Sequence, residues 1–500
     1  MLRYLTTEES IQEMKGRARR SAASLATALV AVGTVGCAGL ATPRPSIEGV
    51  EVPGTWSEAG SAAFVGQDPS LDELAAWWRQ LDDPILDELV ERAVAGNIDL
   101  EIGVTRLEEA RALRGLAKAD LGPSISANAS GARNEALGDA APSTESYGAS
   151  VDMAWEVDLF GANRQALAAR QADLEAEVEN LRALRALIAA ETVVAYADLR
   201  VAEARLEVLD RSLESREESA RLVEWREQAG LASTLEVNQV KSQLHQARAG
   251  RPVIEQSRVS ARLRLDVLAG EAPGALDAVL AAPSAAPIPA PPSLIAVGIP
   301  ADALRRRPDV RSAERSLEAA WARLGSAEAA RYPRLQLTAS LDSRSPTVDE
   351  LFDLDSLFGN LIAGLAAPIF ESGRIDQNIA VRDAQWRRAA LSYEGTVLDA
   401  LAEVERSLSA VDTARRRILS LREATAAAAE AAELADQRYA AGLVDVLSVL
   451  ETEQTVFTSE EQLVIAKGDL MTAFGTLYRA LGGGWETDTD TADPEGTTDA

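Results

Sequence analysis

Tyr147-Gly148-Ala149-Ser150-Val151-Asp152-Met153-Ala154-Trp155-Glu156-Val157-Asp158-Leu159-Phe160-Gly161 is the stretch on which the fold turns. Tyr147, Ala149, Val151, Met153, Trp155, Val157 and Leu159 are apolar. Gly148, Ser150, Asp152, Ala154, Glu156 and Asp158 stand between them. This period of two predicts a strand with one greasy and one polar face. At Phe160-Gly161 the period changes. From Ala162 to Ala229 there is no Gly and no Pro, and Ala, Leu, Glu, Arg and Val dominate. Such a run predicts one uninterrupted helix, roughly 100 Å long at 1.5 Å per residue. Few soluble domains need a rod of that length joined to a two-faced strand.

The design occurs twice. Pro123-Ser124-Ile125-Ser126-Ala127-Asn128-Ala129-Ser130 is echoed by Pro333-Arg334-Leu335-Gln336-Leu337-Thr338-Ala339-Ser340. Phe160 is echoed by Phe370 and Arg164 by Arg374, all at an offset of 210 residues. Ala229-Gly230-Leu231 matches Ala441-Gly442-Leu443, and Leu235 matches Leu447, at an offset of 212. The ordered set indicates an internal duplication, and the change of offset predicts a second rod two residues longer than the first.

Around these landmarks the chain reads as follows. Leu71 to Leu81 is a short helix whose Trp77 and Trp78 read as core aromatics. Ile85 to Leu121 is a helix ended by Pro123. Ile125, Ala127 and Ala129 alternate with polar residues in a first strand. Ser233 and Thr234 cap a helix that returns from Gly230, with Gly250 and Pro252 as sites of a kink or of altered packing. Six prolines between 281 and 300 mark an extended linker. Ala301 to Ala330 is helical. Strands follow at Leu335–Leu341 and, with a weaker polar side, at Leu357–Ile369. Arg374 to Ala441 is the second rod, Val444 to Leu481 returns from it, and Gly482-Gly483-Gly484 stops the return.

The net charge is -28, and aromatics make up only 4%. An acidic chain is a poor nucleic-acid ligand, because phosphate contacts need clustered Lys and Arg. Beyond the N-terminal region no run of 18 or more apolar residues predicts a membrane-spanning helix. At the N-terminus Lys15, Arg17, Arg19 and Arg20 precede a small apolar run from Ser21 to Gly36, and Cys37 follows. This is the layout of an export signal. Glu8, Glu9 and Glu13 fit such a signal badly, which makes Met14 a second candidate start. Cys37 is the only cysteine, so no intrachain disulfide can form. Thr34-Val35-Gly36-Cys37 resembles a bacterial lipobox, in which the Cys becomes the lipidated first residue; Thr34 stands where an aliphatic residue is usual. An ordinary signal with an incidental Cys is the other reading.

Four strands of about nine to thirteen residues have the length needed to cross a bilayer when tilted. Four cannot close a barrel, and open edges are not tolerated in lipid. Either the strands pack in a soluble sheet, or several chains share one barrel; three chains would give twelve strands.

The chain resembles the TolC-like outer membrane efflux proteins, in the lipoprotein branch of OprM/NodT type. The resemblance covers nearly all of residues 70–485. Its most specific element is Ile299-Pro300-Ala301-Asp302-Ala303-Leu304-Arg305-Arg306-Arg307-Pro308-Asp309-Val310-Arg311, running on to Tyr332-Pro333. Trp77-Trp78, Asp83-Pro84, Asn97, Asp99-Leu100, Trp155-Glu156-Val157-Asp158-Leu159-Phe160-Gly161 and Tyr478 to Trp485 support it. The resemblance implies a mixed α and β fold: a trimeric TolC-like α/β-barrel with four transmembrane strands and long periplasmic helices per chain. It implies a homotrimer in outer membrane lipid that serves as a passive exit duct. Its partners would be a periplasmic membrane fusion (adaptor) protein and an inner-membrane pump of the proton-driven resistance-nodulation-division (RND) class. On this basis residues 1–36 are a signal peptide, 37–83 a segment lipidated at Cys37, and 84–280 repeat 1. Residues 281–300 are the linker, 301–484 repeat 2 and 485–500 an acidic disordered tail.

By the same resemblance Leu447 and Glu451, four apart and so on one helix face, form the hydrophobic and acidic rings of a periplasmic aperture. Glu451 stands where Asp is more usual. Taken without the resemblance, the two also read as a core leucine and a solvated glutamate. Arg438 and Tyr439 resemble residues that latch neighbouring helices. No catalytic set emerges. His245 is the only histidine, and no His/Cys metal cluster, Ser-His-Asp set or phosphate-binding glycine loop is present. An enzyme and a cofactor are therefore not expected. Two rivals share parts of the pattern. A periplasmic adaptor would carry one helical hairpin between soluble β-domains, and a type I secretion conduit has the same fold. The lipobox and the Arg-rich start of repeat 2 favour efflux. Drugs, metal ions and solvents remain open as cargo.

Overall fold

The computed structural model describes residues 51–135, 143–282, 287–353 and 356–485. The expected signal peptide, Cys37 and the tail beyond Trp485 lie outside them. In chain order the main elements are α1 (Pro84–Gly96), α2 (Ile98–Ala119), β1 (Ser124–Asn134), β2 (Thr144–Val157), α3 (Ala162–Gln228) and α4 (Thr234–Leu268). They continue with α5 (Pro300–Arg306), α6 (Pro308–Ala329), β3 (Arg334–Ser345), β4 (Leu357–Ala366), α7 (Arg374–Ala440) and α8 (Val446–Ala480). The contacts divide into two compact units.

The first unit, Ala110–Leu174 with Arg315–Ala390, holds the sheet. Its strands run in the order β1-β2-β3-β4, all antiparallel. Residues directly opposite in antiparallel strands share a face. The register therefore carries the alternation of each strand across the whole sheet. Ile125, Met153, Ala339 and Leu361 stand in one row, and Val157, Leu335 and Leu365 in another. On the opposite face Ser126, Asp152, Ser340 and Asn360 form a row. There Asn128 donates to Asp152 at 2.8 Å, Ser150 to Asp152 at 2.7 Å and Ser340 to Asp342 at 2.6 Å. The polar side of β4 is interrupted by Phe358 and Ile362, as its sequence predicts. At the foot of β2, Asp158 accepts from the Arg164 backbone N–H (2.8 Å). Phe160 stacks on Tyr332 with centroids 4.9 Å apart.

The second unit comprises the described parts of 48–109, 175–314 and 391–500. It is a helical bundle whose aromatic core is Trp77, Trp78, Phe474 and Tyr478, with Trp77 stacked on Tyr478 at 5.7 Å. The three closing glycines fit this core closely. Gly484 takes φ +91°, where a side chain is disfavoured. A Cβ on Gly483 would lie 2.8 Å from the Leu74 carbonyl oxygen. Arg307, from the Arg-rich motif, is 6% exposed. It donates to Asp309 and Glu403 at 2.7 Å and to the Ala480 carbonyl at 2.7 Å. Burial opposes its charge, but the two carboxylates outweigh burial and raise its pKa. The motif is thus a bolt joining the start of repeat 2 to α7 and to the end of α8.

Four expectations are corrected. The helix expected over 85–121 is two helices, because Asn97 interrupts it in an extended conformation. Its side chain accepts from the N–H groups of Asp99 (3.0 Å) and Leu100 (3.2 Å) and so caps α2. The helix expected over 301–330 breaks at Arg307, whose ψ of 121° is the extended geometry forced on a residue before proline. The two rods are equal, at 67 residues each. The two additional residues of repeat 2, Glu371 and Ser372, lie in the turn before α7. There Ser372 and Gly373 both take positive φ, where repeat 1 uses Gly161 alone. Ala162, not Arg164, is therefore the counterpart of Arg374. The helix α4 runs unbroken through Pro252.

Candidate functional site

The candidate aperture lies where the second rod turns back. Glycine makes the turn in both repeats. Gly442 takes φ +74°, its N–H donates to the Tyr439 carbonyl (2.9 Å) and the Leu443 N–H to the Arg438 carbonyl (2.9 Å). Gly230 takes φ +73° with the same pair of bonds, to Glu227 (2.8 Å) and Arg226 (2.7 Å). These are Schellman closures, in which the left-handed residue satisfies carbonyls that the helix end leaves open. Ser233 then caps α4 in a reciprocal box with Glu236, and Asp445 caps α8 through the Ser448 N–H (3.1 Å).

On α8, Val446, Val449 and Leu450 are buried, so the helix face is fixed. Leu447 (38% exposed) and Glu451 are exposed on the other side. The structure thus brings them together on one open face, and Leu447 is not a core residue. Of the latch candidates, Tyr439 is buried, with the Arg226 guanidinium 4.6 Å from its ring centroid. Burial raises the Tyr439 pKa, and Arg226 opposes the shift. Arg438 is exposed. Cys37 lies outside the described residues.

Sequence reasoning missed the partners that hold α8. Arg216 is 2% exposed and donates to Gln454 (2.7 Å), Gln243 (3.0 Å) and Ser212 (3.2 Å). Burial lowers its pKa, and the Glu453 charge works against that shift. Glu453 accepts from Ser215 at 2.6 Å, Arg211 meets Glu460 at 3.1 Å and Arg205 meets Glu461 at 2.7 Å. One more Arg in a Glu/Arg-rich helix carries no sign of burial, so no sequence signal marks Arg216. Arg226 was within reach, because the 212-residue offset makes it the counterpart of Arg438.

Among the described residues no helix is long and apolar enough to cross a membrane, and no group of three or more His, Cys, Asp or Glu side chains could hold a metal ion. The first finding has no bearing on a β-barrel.

A two-faced four-stranded sheet, paired 67-residue rods and matched closing turns define the class of duplicated strand-and-rod channel proteins. The chain belongs to the outer membrane efflux protein family, whose family model matches residues 89–271 and again 299–483. It is 33% identical to outer membrane protein OprJ of Pseudomonas aeruginosa, over 94% of this chain and 97% of that one. It is 30% identical to the pyoverdine export outer membrane protein OpmQ of the same species, over 93% and 97%. Among solved structures, the outer-membrane channel OprN superposes with a TM-score of 0.81 at 31% identity, covering 89% of this chain and 99% of that one. The fold is thus the TolC-like one expected from the sequence, with its duplication.

Proposed function

We propose that the protein is the outer membrane exit duct of a tripartite efflux system, through which small molecules leave passively from a pump–adaptor complex. The sheet carries the reading. Its apolar face is open, with Leu361 at 73%, Ile125 at 70% and Leu365 at 67% exposure. Burying each such side chain is worth about 1.5–3 kcal/mol. Strands β1 and β4 also each keep one unpaired edge in a single chain. Lipid against the apolar face and a neighbouring copy against each edge remove both costs. Three copies give a twelve-stranded barrel, and the second unit forms the periplasmic helices. Repeat 1 is taken as 84–280, repeat 2 as 301–484 and the linker as 281–300. Cys37 is the lipid anchor.

Leu447 and Glu451, in three copies, form a dewetting ring and a cation-attracting ring, and Tyr439 with Arg226 latches α7 to α3. The partners are a periplasmic adaptor and an RND-type pump. Crosslinking in native cells followed by mass spectrometry tests this. Recovery of a proton-driven pump with its adaptor is the expected result. Recovery of an ATP-driven exporter alone would move the reading to type I secretion.

A further inference from the structure

Between α3, α7, α8 and the proline-rich linker runs a groove of about 770 Å³, within the size range of small-molecule sites. Its floor is apolar, with Val208, Ile418 and Val464. Pro289 and Pro291 wall it, and prolines offer no N–H to a ligand. Its charge is one-sided. Arg211, Arg415, Arg422 and Lys467 line it against a single carboxylate, Glu207, in a chain of net charge -28. Arg211 is engaged by Glu207 (3.2 Å) and Glu460 (3.1 Å). Arg415 donates to the carbonyls of Ser293 (2.7 Å) and Pro292 (2.5 Å), neutral acceptors that leave its charge uncancelled. Burial lowers its pKa, and Asp412 opposes that. Among the described residues Arg422 and Lys467 have no ion-pair partner.

We propose that this groove binds an anionic amphiphile, its alkyl chain on the Val208–Ile418–Val464 floor and its carboxylate or phosphate head against Arg415, Arg422 and Lys467. Charge complementarity selects the head, since among the described residues Arg422 and Lys467 have no carboxylate partner and Arg415 is held only by neutral carbonyls. The groove is lined entirely by residues of one chain, so binding to it stands or falls without the duct reading.

The test uses the full-length protein held in amphipol, with a dodecanoate carrying a chain-end diazirine as the probe and peptide mapping after irradiation. Adducts are expected in 204–211, 415–422 and 464–470, competed by dodecanoate and dodecyl phosphate. The Arg422→Gln/Lys467→Gln variant should lower labelling about tenfold. Leu419→Trp, which fills the groove without changing its charge, should lower it as well. Equal competition by 1-dodecanol would show a merely greasy surface, and competition by inorganic phosphate alone a simple anion site. Either result, scattered adducts, or undiminished labelling of both variants would overturn the proposal.

Discussion

The two tips share a backbone and differ in what holds it. Positions 212 apart carry the same Schellman glycine, Gly230 and Gly442, and the same exposed leucine after it, Leu231 and Leu443. At the next pair of sites they part. Repeat 1 has Glu227 and Thr234, joined by a solvent-facing hydrogen bond of 2.9 Å. Repeat 2 has Tyr439 and Val446, both buried. Where repeat 2 presents Glu451, repeat 1 presents Gln239. Both tips share one apolar cluster, to which Val237 and Val240 contribute from repeat 1 and Val449 and Leu450 from repeat 2. At the sites of Tyr439 and Val446, however, repeat 1 places a polar bond at the surface and repeat 2 two more buried side chains. Duplication supplied one turn twice, and side-chain divergence put a glutamate beside the exposed leucine in the second alone, the pair proposed above for the aperture.

The contrast breaks most sharply at the buried ring. Tyr439→Ala removes a packed aromatic and the ring under Arg226, so we expect a loss of about 3 kcal/mol. Glu227→Ala should cost about 1 kcal/mol. Thermal unfolding followed by circular dichroism compares the two, and equal losses would remove the distinction. The glycines should behave alike. Gly442→Val and Gly230→Val each force a β-branched residue to positive φ, at roughly 1–2 kcal/mol by the same measurement. Unequal losses there would mean that the two turns are not the same device.

The smallest effect is a pH dependence. Burial raises the Tyr439 pKa above its ordinary value of 10.0. The stabilisation this implies is fully present below about 10 and is lost as the pH rises through the folded value. Tyr439→Phe should therefore be as stable as the parent at neutral pH and lose less stability under alkaline conditions. Some alkaline loss should persist, because burial also raises Tyr196 and Tyr478. No change in the alkaline limb would show that Tyr439 is not buried in solution.

Much of this architecture was legible in the sequence. Alternation in 147–159 and the Gly- and Pro-free run after it were local signals, and each persisted in the fold. The weak points were junctions. Asn97 and Arg307 split expected helices through a cap and a following proline, signals that a periodicity reading passes over. The change of offset from 210 to 212 was visible, but not where its two residues fell. At the tip, the spacing of Leu447 and Glu451 placed them on one face. That the face is open, and that Arg216 ties Gln454 behind it, depends on contacts between α3, α4 and α8 more than 20 residues apart in the chain. No local pattern encodes such contacts.

The claim that the second tip alone forms a closed ring is tested most directly by cysteine crosslinking. The chain has a single native cysteine, Cys37, which is kept as the proposed lipid anchor, and the unmodified parent serves as the background control. Glu451→Cys and Gln239→Cys are introduced separately and treated in intact outer membranes with a short bis-maleimide. We expect Glu451→Cys to yield covalent dimers of the chain and Gln239→Cys to remain monomeric. Monomers from both, or equal dimers from both, would contradict an aperture built from Leu447 and Glu451.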